Sequence, residues 1–212
     1  MIYIGVDLAW SKRNKSGIAI LEDEKILFCD TVLGVDELAC IINQYPDAIV
    51  GIDAPLKIEN KTGNRDIEKQ FLKDFAKYKL GVYPVNRKLL SKYGPIVSEQ
   101  LVDKITQELG KNLFEVYPHA TILQLFHNKV LPYKRKQGRD TKFIQEQLNI
   151  LQNYLDEVLT GHFKEDIFTL KGQSLKNHED KLDALVCAYT VNHCHNNTCI
   201  TYENIFQVPL KN

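Results

Sequence analysis

Apolar and polar positions alternate along residues 2–7, with Ile2, Ile4 and Val6 on one face and Tyr3, Gly5 and Asp7 on the other. That period of two predicts a strand. Residues 17–21 and 25–32 predict two more, and the short Glu22-Asp23-Glu24 link makes them a hairpin. A helix is expected over 36–45, ended by Pro46. Residues 48–53 are almost continuously apolar, as in a strand buried on both faces, and Pro55 stops them. A fifth strand is predicted over 113–117, ended by Pro118. Between the fourth and fifth strands, residues 56–110 are charged, helical at 65–79 and 98–109, and looped at 81–86. This stretch is too small to bury much core of its own, so it reads as a helical insertion within one domain spanning 1–212. A short helix at 119–128, a basic loop at 132–139, a long helix at 141–159 and a tail strand near 198–202 complete the pattern.

The stretch 177–189 stands apart. From Ala184 to Tyr189 every position is apolar, which predicts a buried helix. Asp180 and Asp183 share a face that continues through Ala184 and Cys187 to Val191, while Leu182, Val186 and Tyr189 lie opposite. The two carboxylates therefore point along a small-residue surface suited to close packing. With Asn177 as N-cap, a capping box accounts for Asp180 but not for Asp183, about a turn further in. Inward carboxylates need a partner, because an unpaired buried charge is costly.

The order of elements predicts an α/β mixed sheet with helices on its faces, the first strand central and the fourth beside it. Asp7 then ends the central strand, Asp53 ends its parallel neighbour, and the acidic turn of the last helix packs over both. Asp7, Asp53, Asp180 and Asp183 would meet in one place, and four such anions make sense only with cations. Hard oxygen ligands select Mg²⁺ or Mn²⁺. Two such ions, about 3.5–4 Å apart, activate a water and stabilise the leaving oxygen of a phosphodiester. A strand-closing Asp also commonly caps the turn that follows, so the joint pattern carries this reading rather than either residue alone. Glu115, on the fifth strand, is either an outer ligand or the partner of a basic residue such as Arg65.

Composition changes the picture only in part. Apolar content of 44% and charged content of 25% are those of an ordinary globular protein. The formal net charge is zero, which removes the simplest argument for nucleic-acid binding but leaves room for a local basic patch. Five cysteines without framework spacing fit a reducing compartment. The apolar N-terminus is too short for a signal peptide, and no apolar run approaches the ~20 residues that span a bilayer. A cytoplasmic protein without a membrane partner is expected.

Five segments together resemble one family: Gly5-Val6-Asp7-Leu8-Ala9-Trp10, Gly51-Ile52-Asp53-Ala54-Pro55-Leu56, Glu115-Val116-Tyr117-Pro118-His119-Ala120, Tyr133-Lys134 with Gly138-Arg139, and residues 180–188. They look like the signature blocks of domain-of-unknown-function family 429, regarded as predicted nucleases of the RNase H-like superfamily. The resemblance spans residues 5–189 in the family's order. It implies an RNase H-like five-stranded sheet of order 3-2-1-4-5 and a metal-dependent nuclease. Carried across, the superfamily's first-strand acid matches Asp7, its fourth-strand acid matches Asp53, and the acids of its last helix match Asp180 and Asp183. The paired acids on that helix resemble the Holliday-junction resolvase branch. Such enzymes act as homodimers, although nothing in the sequence marks a dimer surface.

Other features are secondary. His119 either orients a scissile phosphate or caps the helix at 119–128. Lys12, Arg13 and Lys15 follow Asp7, and Lys134, Arg135, Lys136 and Arg139 form the densest basic loop; either group holds phosphates or is simply solvated. His193, Cys194, His195 and Cys199 lack the paired spacing of a strong zinc site. Trp10 and Tyr83 offer stacking surfaces for a base, though aromatics beside a strand end usually join the core. The leading expectation is a nuclease acting on DNA or RNA. An ATP-dependent phosphotransferase on the same ancestral sheet is the second. Against it, the chain holds one such domain and lacks both common glycine-rich phosphate loops. A noncatalytic nucleic-acid-binding module is the third.

Overall fold

The computed structural model describes residues 1–11 and 13–211. Three antiparallel strands open the chain: β1 (Ile2–Asp7), β2 (Lys15–Glu22) and β3 (Lys25–Leu33). β4 (Ile49–Ile52) runs parallel to β1, and β5 (Leu113–Val116) runs parallel to β4. The expected five strands are present in the expected order, but the sheet is larger. The tail strand, β6 (Cys199–Tyr202), turns at Glu203 and Asn204 and returns as β7 (Phe206–Pro209), which pairs parallel to β5. Both turn residues have positive φ, 47° and 60°, as a tight hairpin turn demands. Among the described residues the sheet therefore has seven strands, ordered β3-β2-β1-β4-β5-β7-β6.

The helices are α1 (Val35–Ile42), α2 (Asp66–Asp74), α3 (Arg87–Leu90), α4 (Val97–Val102), α5 (Pro118–Thr121), α6 (Thr141–Val158) and α7 (Gly172–Asn196). α5 continues as a π-helical turn over Ile122–His127. Two expected helices are shorter than their patterns. α2 ends at Asp74 and gives way to a 3₁₀ turn over Ala76–Tyr78. α4 ends at Val102, where the Asn43 side chain takes over the backbone, donating to the Lys104 carbonyl at 2.9 Å and accepting from the Thr106 N–H at 3.0 Å.

Strand alternation divides the core between two faces. Ile4, Val6, Ile18, Ile20, Val50 and Ile52 pack under α1 and α4. Tyr3, Ala19 and Leu21 pack under α7, which α6 covers with Leu148, Leu151 and Leu155. The insertion buries Phe71 of α2 and Phe75, just after that helix, against Tyr202, Phe206 and Val208 of the tail hairpin. No helix among the described residues is long and apolar enough to cross a membrane.

Candidate functional site

Glycines set the depth at which α7 lies. A Cβ on Gly5 would fall 2.0 Å from the Ala184 carbonyl oxygen, and one on Gly17 would fall 2.0 Å from that of Asp180. On Gly51 it would meet Val191 Cγ1 at 2.7 Å and the Cys187 carbonyl oxygen at 2.9 Å. The small-residue face expected on this helix therefore meets a glycine trough in β1, β2 and β4. Gly5 and Gly51 are register partners on adjacent parallel strands. Two residues on, and hence on the same face, stand Asp7 and Asp53. Their backbones are joined by an Asp53 N–H donating to the Val6 carbonyl at 2.8 Å. One turn before Ala184, the helix brings Asp180 and Asp183 onto the same edge.

The four acids meet, but they do not meet alone. Asp183 is fully buried and accepts from the Tyr133 hydroxyl at 2.6 Å. Its other oxygen pairs with the Lys134 ammonium, which also lies 3.1 Å from Glu179. Lys176 donates to Glu179 at 2.8 Å and to Asp180 at 2.5 Å. Burial raises Asp180, with Lys176 opposing, and the charge of Asp180 in turn acts on Asp7. Burial pushes Asp7 up to about 6, with Lys134 opposing and Asp180 adding. Burial also pushes Asp183 up to about 6, against Lys134 and with Asp7 and Glu179 adding. Asp53 is held well above the usual carboxylate range by burial and then by Asp7. Glu179 goes the other way: burial raises it, but Lys134 and Lys176 together bring it below its ordinary value.

Five carboxyls thus face two ammonium groups, so the cluster carries more acid than its own bases neutralise. All-oxygen donors with surplus negative charge suit a hard divalent cation. The fit lies in charge and donor chemistry rather than in a ready cage. Among the described residues no three His, Cys, Asp or Glu side chains already surround a common point. Lys134 and Lys176 occupy the electrostatic role a cation would take.

Other expected residues fall into place around this cluster. Glu115 is the partner of Arg65. The guanidinium contacts both its oxygens, at 2.7 and 2.8 Å, and the Leu56 N–H donates to it at 2.8 Å. Arg65 also holds Glu68 at 2.6 Å, which ties α2 to β5. His119 is no cap: Tyr117 occupies the N-cap position, and His119 instead lies against the Tyr133 ring at 4.8 Å. Its Nδ1 is buried without a hydrogen-bond partner among the described residues, and burial, then Lys134, lowers the ring to about 4. Arg139 braces its own loop, donating to the carbonyls of Pro132 at 3.1 Å and Lys134 at 2.8 Å. Arg13 is exposed at the cleft, and Lys12 lies outside the described residues. His193 and His195 are taken by the Leu210 carbonyl at 3.2 Å and the Tyr3 hydroxyl at 2.7 Å.

Lys176, Glu179 and Tyr133 were not among the expected site residues. Lys176 and Glu179 share one helical face with Asp180 and Asp183, a signal present in the spacing once the helix starts at Gly172. Asn177 is accordingly no N-cap, and Asp180 and Asp183 lie well inside the helix.

Asp7, Asp53 and Asp180 open onto a cleft of about 980 Å³ that Lys134 and Lys176 also line, while Asp183 is fully buried. A family model described as "Protein of unknown function (DUF429)" matches residues 5–205. The chain belongs to the DUF429 family. No curated protein and no solved structure matches it. In this DUF429 chain the matched span includes all four clustered aspartates and both site lysines.

Proposed function

We propose that the cleft hydrolyses phosphodiester bonds of nucleic acid with Mg²⁺ or Mn²⁺. One observation carries the reading: Asp7 and Asp53 end adjacent parallel strands beneath Asp180 and Asp183 of a helix sunk into glycines. The order β3-β2-β1-β4-β5, with acids on β1, just after β4 and on the last helix, supports an RNase H-like fold. Unpaired cysteines throughout are in keeping with a cytoplasmic setting.

Asp7, Asp53, Asp180 and Asp183 would hold the ions. When bound, these supply Lewis-acid activation of a water and stabilise charge on the leaving oxygen. The protein's own groups do the rest. Tyr133 fixes Asp183 by donating to one oxygen. Lys134 and Lys176, once their carboxylates are otherwise engaged, are positioned to neutralise phosphate oxygens at the same spot. Arg65 occupies Glu115, which keeps that carboxylate out of the ligand set.

The lysine pairing also favours a second reading, a noncatalytic module whose acids are satisfied internally. A calorimetric Mn²⁺ titration separates the two, with metal-free wild type beside Asp7→Asn and each repeated with a nucleic-acid oligonucleotide present. Saturable binding lost in the variant supports the metal site. Even outer-shell partners of a metal are worth about 10–100-fold, so an Asp7→Asn loss below about tenfold would count against it. No binding in either condition would leave the noncatalytic module.

A further inference from the structure

We infer that this cleft takes an unpaired stretch of nucleic acid, its bases seated on Trp10 and Tyr83, rather than a continuous duplex. The inference rests on the phosphodiesterase reading of the acids and narrows its substrate. Both rings line the cleft and both are open to solvent, Trp10 at 44% and Tyr83 at 80% exposure. They do not join the core, contrary to what their neighbourhood in the sequence predicts. They come from separate segments: Trp10 from the loop between β1 and β2, and Tyr83 from the insertion. Trp10 lies three residues after Asp7, so the two backbones are within about 11 Å of each other. Trp10 also borders a small hollow lined by Leu90, Pro95 and Ile96 of the insertion, so insertion residues flank it.

The charges point the same way. Arg13, on the same loop as Trp10, and Lys15, the first residue of β2, line the cleft. The chain as a whole is neutral, with 27 basic and 27 acidic residues. Duplex binding draws its affinity from many neutralised phosphates, which favours a basic stripe. Stacking on aromatic rings accepts any base, but it needs the face of the base, which a duplex hides within its own stack. A cleft of about 980 Å³ is at the upper end of small-ligand sites, room for a few nucleotides.

Trp10 is the only tryptophan in the chain, so fluorescence excited at the red edge of the band, where the ten tyrosines do not absorb, reports on it alone. The test is a fluorescence titration of the full chain in EDTA and again in Ca²⁺. The probes are a short single-stranded DNA, the same sequence as RNA, its blunt duplex, and an abasic strand of equal length. The expected result is saturable quenching by a single strand, with the duplex and the abasic strand each about tenfold weaker or more. Tyr83→Ala should weaken binding of the base-bearing strand about tenfold and leave the abasic strand unchanged. Equal affinity for strand and duplex, equal affinity for the abasic strand, or no binding of any probe would overturn the inference. Cleavage in Mn²⁺ is scored separately. A chain that is quenched but never cleaves keeps this binding mode and loses the phosphodiesterase reading. A chain that cleaves duplex as readily as single strand, without quenching, loses this inference alone.

Discussion

A methyl group on Gly5 would lie 2.0 Å from the Ala184 carbonyl oxygen, a distance no real Cβ adopts. The obstacle is helix backbone, which cannot swing aside as a side chain would. Gly5→Ala should therefore lift α7 from the sheet, at a cost of about 3 kcal/mol or more, at or beyond the upper range for overpacked cores. Urea unfolding measures the loss. An alanine variant as stable as wild type, with Mn²⁺ affinity unchanged, would mean that the helix does not rest on this trough.

Lys134 is the counter-ion of a fully buried carboxylate. Lys134→Met should destabilise the metal-free protein by about 2 kcal/mol, since Asp183 loses its charged partner. Mn²⁺ should restore much of that loss if the acids take a metal, so the melting temperature of the variant should rise more on metal addition than that of wild type. Equal shifts in the two proteins would count against a shared role for lysine and metal.

The raised carboxyls make a signed prediction for pH. Asp7 and Asp183 go from an ordinary 3.8 to about 6 in the folded state, so between those values the folded protein holds more protons than the unfolded chain. Stability from these groups is complete below pH 4 and is lost as pH rises through about 6. For buried Asp183 the loss is of the order of 3 kcal/mol. Metal-free protein should therefore gain stability from these groups between pH 7 and pH 5, and Asp183→Asn should flatten the trend. Chemical denaturation across that range is the check; a wild-type slope identical to that of the variant would refute it.

Arg65 joins α2 to β5 through two buried carboxylates, Glu68 and Glu115. Lysine cannot reproduce its planar, two-oxygen grip. Arg65→Lys should cost about 3 kcal/mol, near the lower range for breaking a buried pair, and should speed hydrogen exchange at Leu56 and along α2. Unchanged exchange there would show that the insertion is held by its aromatic contacts alone.

The acid quartet was legible because strand alternation and helical spacing are strong, local signals. A period of two put Gly5 and Asp7 on one face, and a period of 3.6 put Asp183 in line with Ala184, Cys187 and Val191. Of the two bases, Lys134 stood out only as part of a basic loop, and Lys176 did not stand out at all. Residues 171–176 carry one apolar side chain, Leu175, so the start of α7 leaves no amphipathic trace and Lys176 reads as loop. β7 spans only four residues and contains a proline, too short for its alternation to stand out. The insertion helices, four to nine residues long, bury only short apolar pairs such as Ile67 with Phe71 and Val97 with Leu101, and they rely as well on polar ties from Arg65, Asn60 and Asn86 that leave no periodic trace. Exposure of Trp10 and Tyr83 depends on where distant segments come to lie, which ring type alone does not encode.

The trough beneath α7 also bears on how the molecule comes together. The α1-side core draws on residues 4–113, whereas the α7-side core closes only when residues 182–191 settle on strands written at the start of the chain. Contacts so distant in sequence form late, because a long loop must close before they return any free energy. Until then Asp7 and Asp53 stand on a bare sheet edge without Asp180, Asp183 or their lysines. Completion of the acid cluster is thus tied to one docking event, and a refolding chain would acquire its charge-dense centre in the same step that buries its second core.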